Sequence, residues 1–253
     1  MFVISKPAKI VIFIILAMIG SSLLVAYLYY NAKNSAEDPR MVKVKKNLAR
    51  FEDICASDGF DKALLMLADA EKTLKNTAGY DDSYELGIVY NNMASVYLQQ
   101  ALYETSDSSK RVTLFAMADS MVLLSVNTYS NWMLLYGKMS ADSLKRHTLA
   151  TFNKNDKAFE GYNYEKIVNK RVDDLLLAQN ETPRRLSVAY TNQGIVRRHQ
   201  YRQQEAIECY VKAIDLWKDN YTARNNFNVL MGLPPEDRSI VDQLFPPEKN
   251  EFD

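Results

Sequence analysis

From Arg40 to Thr182 the chain contains no proline, and glycine interrupts that stretch only at Gly59, Gly79, Gly87, Gly137 and Gly161. Proline removes a backbone donor and glycine loosens the helical backbone, so a run this free of both admits long helices. Alternating β-branched residues between tight turns, which would announce strands, are missing. The expected class is all-α. Asp38 and Pro39 are suited to cap and open a helix from Arg40 to Ala56, and further helices are expected over Phe60–Lys75, Ser83–Tyr103, Lys110–Tyr136 and Ala141–Phe152. Asn153, Asn155, Gly161 and Asn163 mark a loop. A helix over Glu165–Gln179 follows, and Thr182 with Pro183 reads as the N-cap and first turn of another.

The best-formed local pattern lies between Tyr190 and Trp217. Tyr190, Gly194 and Arg197 mark one face of a helix, and Ala206, Tyr210 and Ala213 mark the facing side of the next. Small residues at Gly194 and Ala206 let two backbones approach, and Tyr190 and Tyr210 fill the space beside them. This pattern resembles a tetratricopeptide repeat, a unit of roughly 34 residues with a W-x2-L-G-x2-Y opening. The match covers Tyr190, Gly194, Ala206, Tyr210 and Ala213. It departs at Gln193, Arg197 and Lys218, where the family prefers Leu, an aromatic and Pro. A single such hairpin cannot bury its own faces, so neighbours are required. Tyr90, Met93, Ala94 and Tyr97 echo the first helix, while Ala63, Leu67 and Ala70 echo the second.

The resemblance implies a degenerate antiparallel helix-hairpin array, an α-solenoid, over residues 40–232. Its best repeat would be 189–220, with degenerate units at about 40–76 and 84–136. Tyr221 to Met231 would begin a repeat that never closes. The paired prolines at 234 and 235 and at 246 and 247 suggest an extended tail over 233–253, carrying the apolar residues Ile240, Val241, Leu244 and Phe245.

A second strong signal precedes the array. No residue from Ile10 to Tyr30 is charged, and the segment is long enough to cross a hydrocarbon core of about 30 Å as a single transmembrane helix. Tyr27, Tyr29 and Tyr30 suit the interface at its end, after a short basic tail over 1–9 that carries Lys6 and Lys9. Residues 31–39 would be a linker. A cleaved signal peptide is the rival, with Gly20, Ser21 and Ser22 small enough for processing, but its apolar region should run only about 7–15 residues. An uncleaved single-pass anchor is therefore expected. Lys33, Arg40, Lys43, Lys45 and Lys46 follow the span and favour a cytoplasmic domain by charge. The short basic tail before a single span is instead the usual inward-held arrangement, and places the domain outside the cytoplasm, in the periplasm if the source is bacterial.

Groups able to do chemistry are sparse. The 31 basic and 31 acidic residues balance, leaving no general field to draw nucleic acid. His147 and His199 have no spacing for a zinc site, and the scattered glycines build no phosphate cradle. Cys55 and Cys209 each fall in an expected helix and read as buried apolar residues, Cys209 next to the interior Tyr210. The adjacent pairs Asp81–Asp82 and Asp173–Asp174 point in different directions on a helix and suit solvent or capping. No catalytic, cofactor-binding or metal-binding residue is expected, and no cofactor.

Function is expected at the surface. In tetratricopeptide arrays the first helices line a concave groove, and the polar residue two before the small position often faces a bound peptide. Here that offset holds Asn92, Asn192 and Asn226, whose amides offer both donor and acceptor. Arg184, Arg185, Arg197, Arg198 and Arg202 form a basic stretch, and Arg198 joins the asparagines as a candidate contact for a carboxylate or phosphate. The expectation is a membrane-anchored scaffold holding a protein or peptide partner in this groove. The alternative is a permanent accessory subunit of a membrane complex, docked through its apolar tail and aromatics around Tyr129, Trp132 and Tyr136. An enzyme with an unrecognised site is a third and weaker alternative.

Overall fold

In the computed structural model, residues 15, 18–25 and 36–236 are described. Within the candidate span 10–30, residues 18–25 are helical, and Met18, Ile19, Leu23, Leu24 and Val25 are exposed. The rest of that span, the basic tail 1–9, most of the linker 31–39 and the tail from residue 237 onward lie outside the described residues.

The described chain is all-α. Nine α-helices follow residue 36: α1 (Val42–Ala49), α2 (Phe51–Asp58), α3 (Phe60–Lys75), α4 (Tyr84–Gln99), α5 (Ser108–Tyr136), α6 (Ala141–Thr151), α7 (Tyr164–His199), α8 (Gln203–Leu216) and α9 (Tyr221–Leu230). A π-helical turn, Gln100–Glu104, extends α4, and a short 3-10 turn, Lys157–Phe159, precedes α7. The single helix expected over Arg40–Ala56 is two, separated at Arg50. Asp38 does not cap the first of them: that helix begins at Val42 after Met41, and the Asp38 Oδ1 instead accepts the N–H of Arg40 at 2.9 Å in the turn before it.

Helices α4 and α5 form one antiparallel pair and α7 and α8 another, and the two pairs are closed by the same device. A Cβ on Gly194 would sit 2.4 Å from Cε1 of Tyr210, and a Cβ on Gly87 would sit 2.4 Å from Cε1 of Tyr129. In both, a missing side chain on one helix admits the flat face of a tyrosine from the other. Ala206, Tyr210 and Ala213 are fully buried in the second pair. Serines tie each pair across: Ser125 Oγ donates to the Gly87 carbonyl at 2.9 Å, and Ser187 Oγ donates to the Ala213 carbonyl at 2.6 Å. In the first pair it is Gly87, seven residues before the expected Ala94, that meets the aromatic ring. Ala63, Leu67, Ala70 and Leu74 present a buried stripe on α3, packed into the same core as α1 and α4.

Helix α7 departs most from expectation. Thr182 and Pro183 do not start a helix but lie inside one that runs unbroken from Tyr164 to His199. Proline leaves a carbonyl one turn earlier without its usual donor. Here that carbonyl belongs to Gln179, while the fully buried Thr182 adds a side-chain bond to its neighbour, its Oγ1 donating to the Ala178 carbonyl at 2.7 Å. The first half of α7 packs on α5 and α6, and its second half pairs with α8, so one rod joins both parts of the core.

Among the described residues, α5 alone is long and apolar enough to cross a membrane. Much of that apolarity faces inward. Leu114, Phe115, Ala118, Val122, Val126, Tyr129, Trp132 and Tyr136 form a helical stripe buried against α4 and α7. Tyr129 and Trp132 are 1% exposed, so the aromatics expected to dock a partner are core residues.

Candidate functional site

The candidate groove lies where α4 and α7 run side by side. Asn192 is half-buried and its Nδ2 donates to Oδ1 of Asn91 at 3.0 Å, joining the two helices. Asn92, also half-buried, is the next residue along. Asn226 is not part of this pairing: its Nδ2 donates back to the Thr222 carbonyl within α9. Arg198 is half-buried on α7, but six residues from Asn192 place it about 240° around the helix, close enough to Tyr210 to act on its hydroxyl. Arg185 sits seven residues before Asn192, close to the same face. Glu85 has the same relation to Asn92 on α4.

Of the other basic residues in the stretch, Arg197 is buried and committed to Asp119 at 2.6 Å. Arg202 pairs with Glu205 at 2.5 Å, and Arg184 pairs with Glu181 at 3.5 Å and covers the Trp217 ring. Arg185 differs. It is 9% exposed, lies 5.7 Å from the Tyr84 ring centroid, and its Nε has no hydrogen bond among the described residues.

In the first half of α7 runs a network of charges that the sequence reading did not anticipate. Arg171 and Glu85 are both buried and ion-paired through Nη1 and Oε1. Arg171 also lies over the Tyr80 ring at 4.1 Å and donates to the Gly79 carbonyl at 3.3 Å. Burial alone would lower the Arg171 pKa, but Glu85, Tyr80 and Tyr84 together outweigh it and hold the guanidinium charged. Lys45 bridges Asp174 at 2.7 Å and Glu37 at 2.5 Å, and Lys170 contacts the same two carboxylates. Burial would raise the Asp174 pKa, yet Lys45 and Lys170 bring it below the ordinary carboxylate range. Asp174 is thus a bridging group where solvent was expected. The signal was present in the sequence: Arg171 and Arg185 occupy the apolar stripe Val168, Val172, Leu175, Ala178, Leu186 and Ala189, where a charge needs a buried partner.

A second polar cluster gathers Asp82, Tyr136 and His147. The Tyr136 hydroxyl donates to Asp82 Oδ2 at 2.5 Å and lies 3.4 Å from His147 Nε2. Ser83, whose Oγ is buried without a partner, lines the same cavity of about 10 Å³. That is roughly the room of one water molecule, which would satisfy Ser83 but leaves no space for a substrate.

The cysteines carry no activated thiol. Burial pushes the Cys209 pKa up to about 11, and its Sγ contacts Gln193 Oε1 at 3.4 Å. The His199 ring stacks on Phe115, with centroids 5.0 Å apart. Among the described residues no group of three or more His, Cys, Asp or Glu is placed to hold a metal. No protein-family model, no characterised protein and no solved structure matches this chain.

Proposed function

We propose that this chain is a membrane-anchored interaction scaffold of the tetratricopeptide type, holding a peptide segment of a partner between α4 and α7. The observation that carries this reading is the Asn91–Asn192 pair, a half-buried amide bridge between two helices. Two further features support it. The Gly87–Tyr129 and Gly194–Tyr210 contacts repeat one packing device, as an array of hairpins requires. The uncharged segment 10–30, with exposed apolar residues at 18–25, suits an anchor that confines the groove to a membrane surface and raises the effective concentration of a membrane-bound partner.

The subunit reading loses its aromatic docking residues to the core, which favours the groove. A photo-crosslinking residue placed at Asn92 tests it. A discrete crosslinked species is expected from Asn92 in native membranes and should disappear when Asn192→Ala is added. Equal crosslinking from Lys212, exposed on α8, would sink the groove assignment. A reporter active on only one side of the membrane, fused to the carboxyl terminus, tests the extracytoplasmic placement.

A further inference from the structure

Helix α9 is only half covered. Helices α4 and α7 are each followed by an antiparallel partner, whereas α9 has none after it among the described residues and packs on α8 and α7. Ala223 is its buried residue, Phe227 and Leu230 stay part-exposed, and Val229 is 46% exposed. A hairpin left open in this way needs a cover on its free side.

The chain itself begins to supply one. Gly232, at φ 73, turns the backbone out of α9, and Pro234 and Pro235 cannot continue a helix. The N–H of Leu233 donates to the Asn228 carbonyl at 2.8 Å, and that of Glu236 donates to Asn225 Oδ1 at 2.7 Å. The Glu236 carbonyl accepts the Tyr221 hydroxyl at 2.7 Å. As this strap advances, its partners step back along α9, so it runs antiparallel to that helix, as a closing helix would. Tyr221, Arg224, Asn225 and Asn228 lie on one face at helical spacing. Arg224 pairs with the Glu236 carboxylate at 2.7 Å and also donates to the Lys218 carbonyl. One guanidinium therefore joins the end of the strap to the α8–α9 connection, where Leu216 is 36% exposed and Trp217 is half-buried.

We propose that the chain's own residues 237–245 complete this cover, continuing over the α8–α9 connection with Ile240, Val241, Leu244 and Phe245 on Leu216 and Trp217. Ile240 is four residues beyond Glu236, a reach of about 13 Å, and so short a tether gives the apolar group an effective concentration on the order of mM at that surface. A separate peptide or a second copy has no such advantage. The docked segment closes the free end of the array and so keeps α9 from pairing with another copy end to end. This inference stands apart from the asparagine groove and does not use it.

Hydrogen exchange read by mass spectrometry on the full chain in lipid nanodiscs tests it. The amides of 237–245 are expected to exchange at least about tenfold more slowly than in a free peptide of the same sequence. Ile240→Asp combined with Leu244→Asp should remove that protection, speed exchange in α9 and raise acrylamide quenching of Trp217. Trp132, 1% exposed, is shielded from the quencher, so the change reports Trp217. Asn225→Ala takes away the acceptor of the Glu236 N–H and should speed exchange in 237–245 by about fivefold. Exchange of 237–245 at the free-peptide rate would overturn the proposal. Protection that depends on protein concentration would also overturn it and assign the segment to a second copy. Protection with Trp217 quenching unchanged by the double substitution would overturn it as well, placing the segment on lipid or on another face.

Discussion

Tyr201 is held at φ 62, in the left-handed region, with its ring 90% exposed. It closes α7: its N–H donates to the Arg198 carbonyl, and the next N–H, of Arg202, donates to the Arg197 carbonyl at 2.9 Å. Glycine is the usual residue at this position because a Cβ is strained there. Tyr201→Gly should therefore stabilise the protein by about 1 kcal/mol, read as a shifted urea midpoint at unchanged slope. The opposite sign is expected at the close contacts. Gly87→Ala and Gly194→Ala each force a methyl into a tyrosine ring, and despite the better helix propensity of alanine each should destabilise by about 1–3 kcal/mol. The two lie in separate hairpins, so their effects should add. His199 sets a pH dependence. Partial desolvation of its exposed ring, with Arg198 and Arg111 nearby, lowers its pKa, so the folded state binds the proton less readily than the unfolded chain. The stability it contributes is complete above the ordinary histidine pKa of about 6.5 and is lost as pH falls through the lower, folded value. His199→Phe should reduce the fall in melting temperature between about pH 7.5 and about pH 5.5.

At the scale of elements, α7 decides the architecture. A helix of 36 residues with proline inside it reaches about 54 Å, enough to serve both α5 with α6 and α8 as a common wall. Pro183→Ala restores a donor to the backbone without changing any buried polar partner named above, and should stabilise the protein by about 1–3 kcal/mol. A loss of stability would mean that proline's restriction of the unfolded chain outweighs the restored hydrogen bond. Most helix positions were legible in the sequence, since Phe60–Lys75 coincides with α3, and α4, α5 and α6 lie within a few residues of expectation. The continuity of α7 was not. Thr182 and Pro183 have the local chemistry of a helix start, and only packing on both sides keeps that segment helical. Arg198 lies about 240° around α7 from Asn192, so the two candidate contacts are on different faces of one helix.

At the scale of the molecule, the buried charges connect parts far apart in sequence. Glu85 on α4 meets Arg171 on α7, and Lys45 on α1 meets Asp174 on α7. Arg40 pairs with Asp38 and Asp156 and lies 4.5 Å from the ring centroids of both Phe152 and Phe159, tying the start of the domain to the loop before α7. Removing one member of the Arg171–Glu85 pair leaves the other buried and uncompensated. Arg171→Met alone should cost about 3–5 kcal/mol in chemical denaturation, while the double substitution with Glu85→Met should recover most of it. If the double variant were as unstable as the single, packing and not charge would account for the loss.

The sequence by itself determined the helical class, most helix limits, the close-packed hairpin of α7 and α8, and the uncharged segment at 10–30. All of these rest on local spacing and composition. Tertiary structure decided which glycine met which tyrosine in the other hairpin, that α7 is one helix, and that Asn192 is joined to Asn91. It also decided which arginine of five is buried without a partner. Those outcomes depend on the rotational phase of helices that meet across long stretches of chain, from Gly87 to Tyr129 and from Asn91 to Asn192, and a side chain acquires or lacks a partner only when both phases are set together.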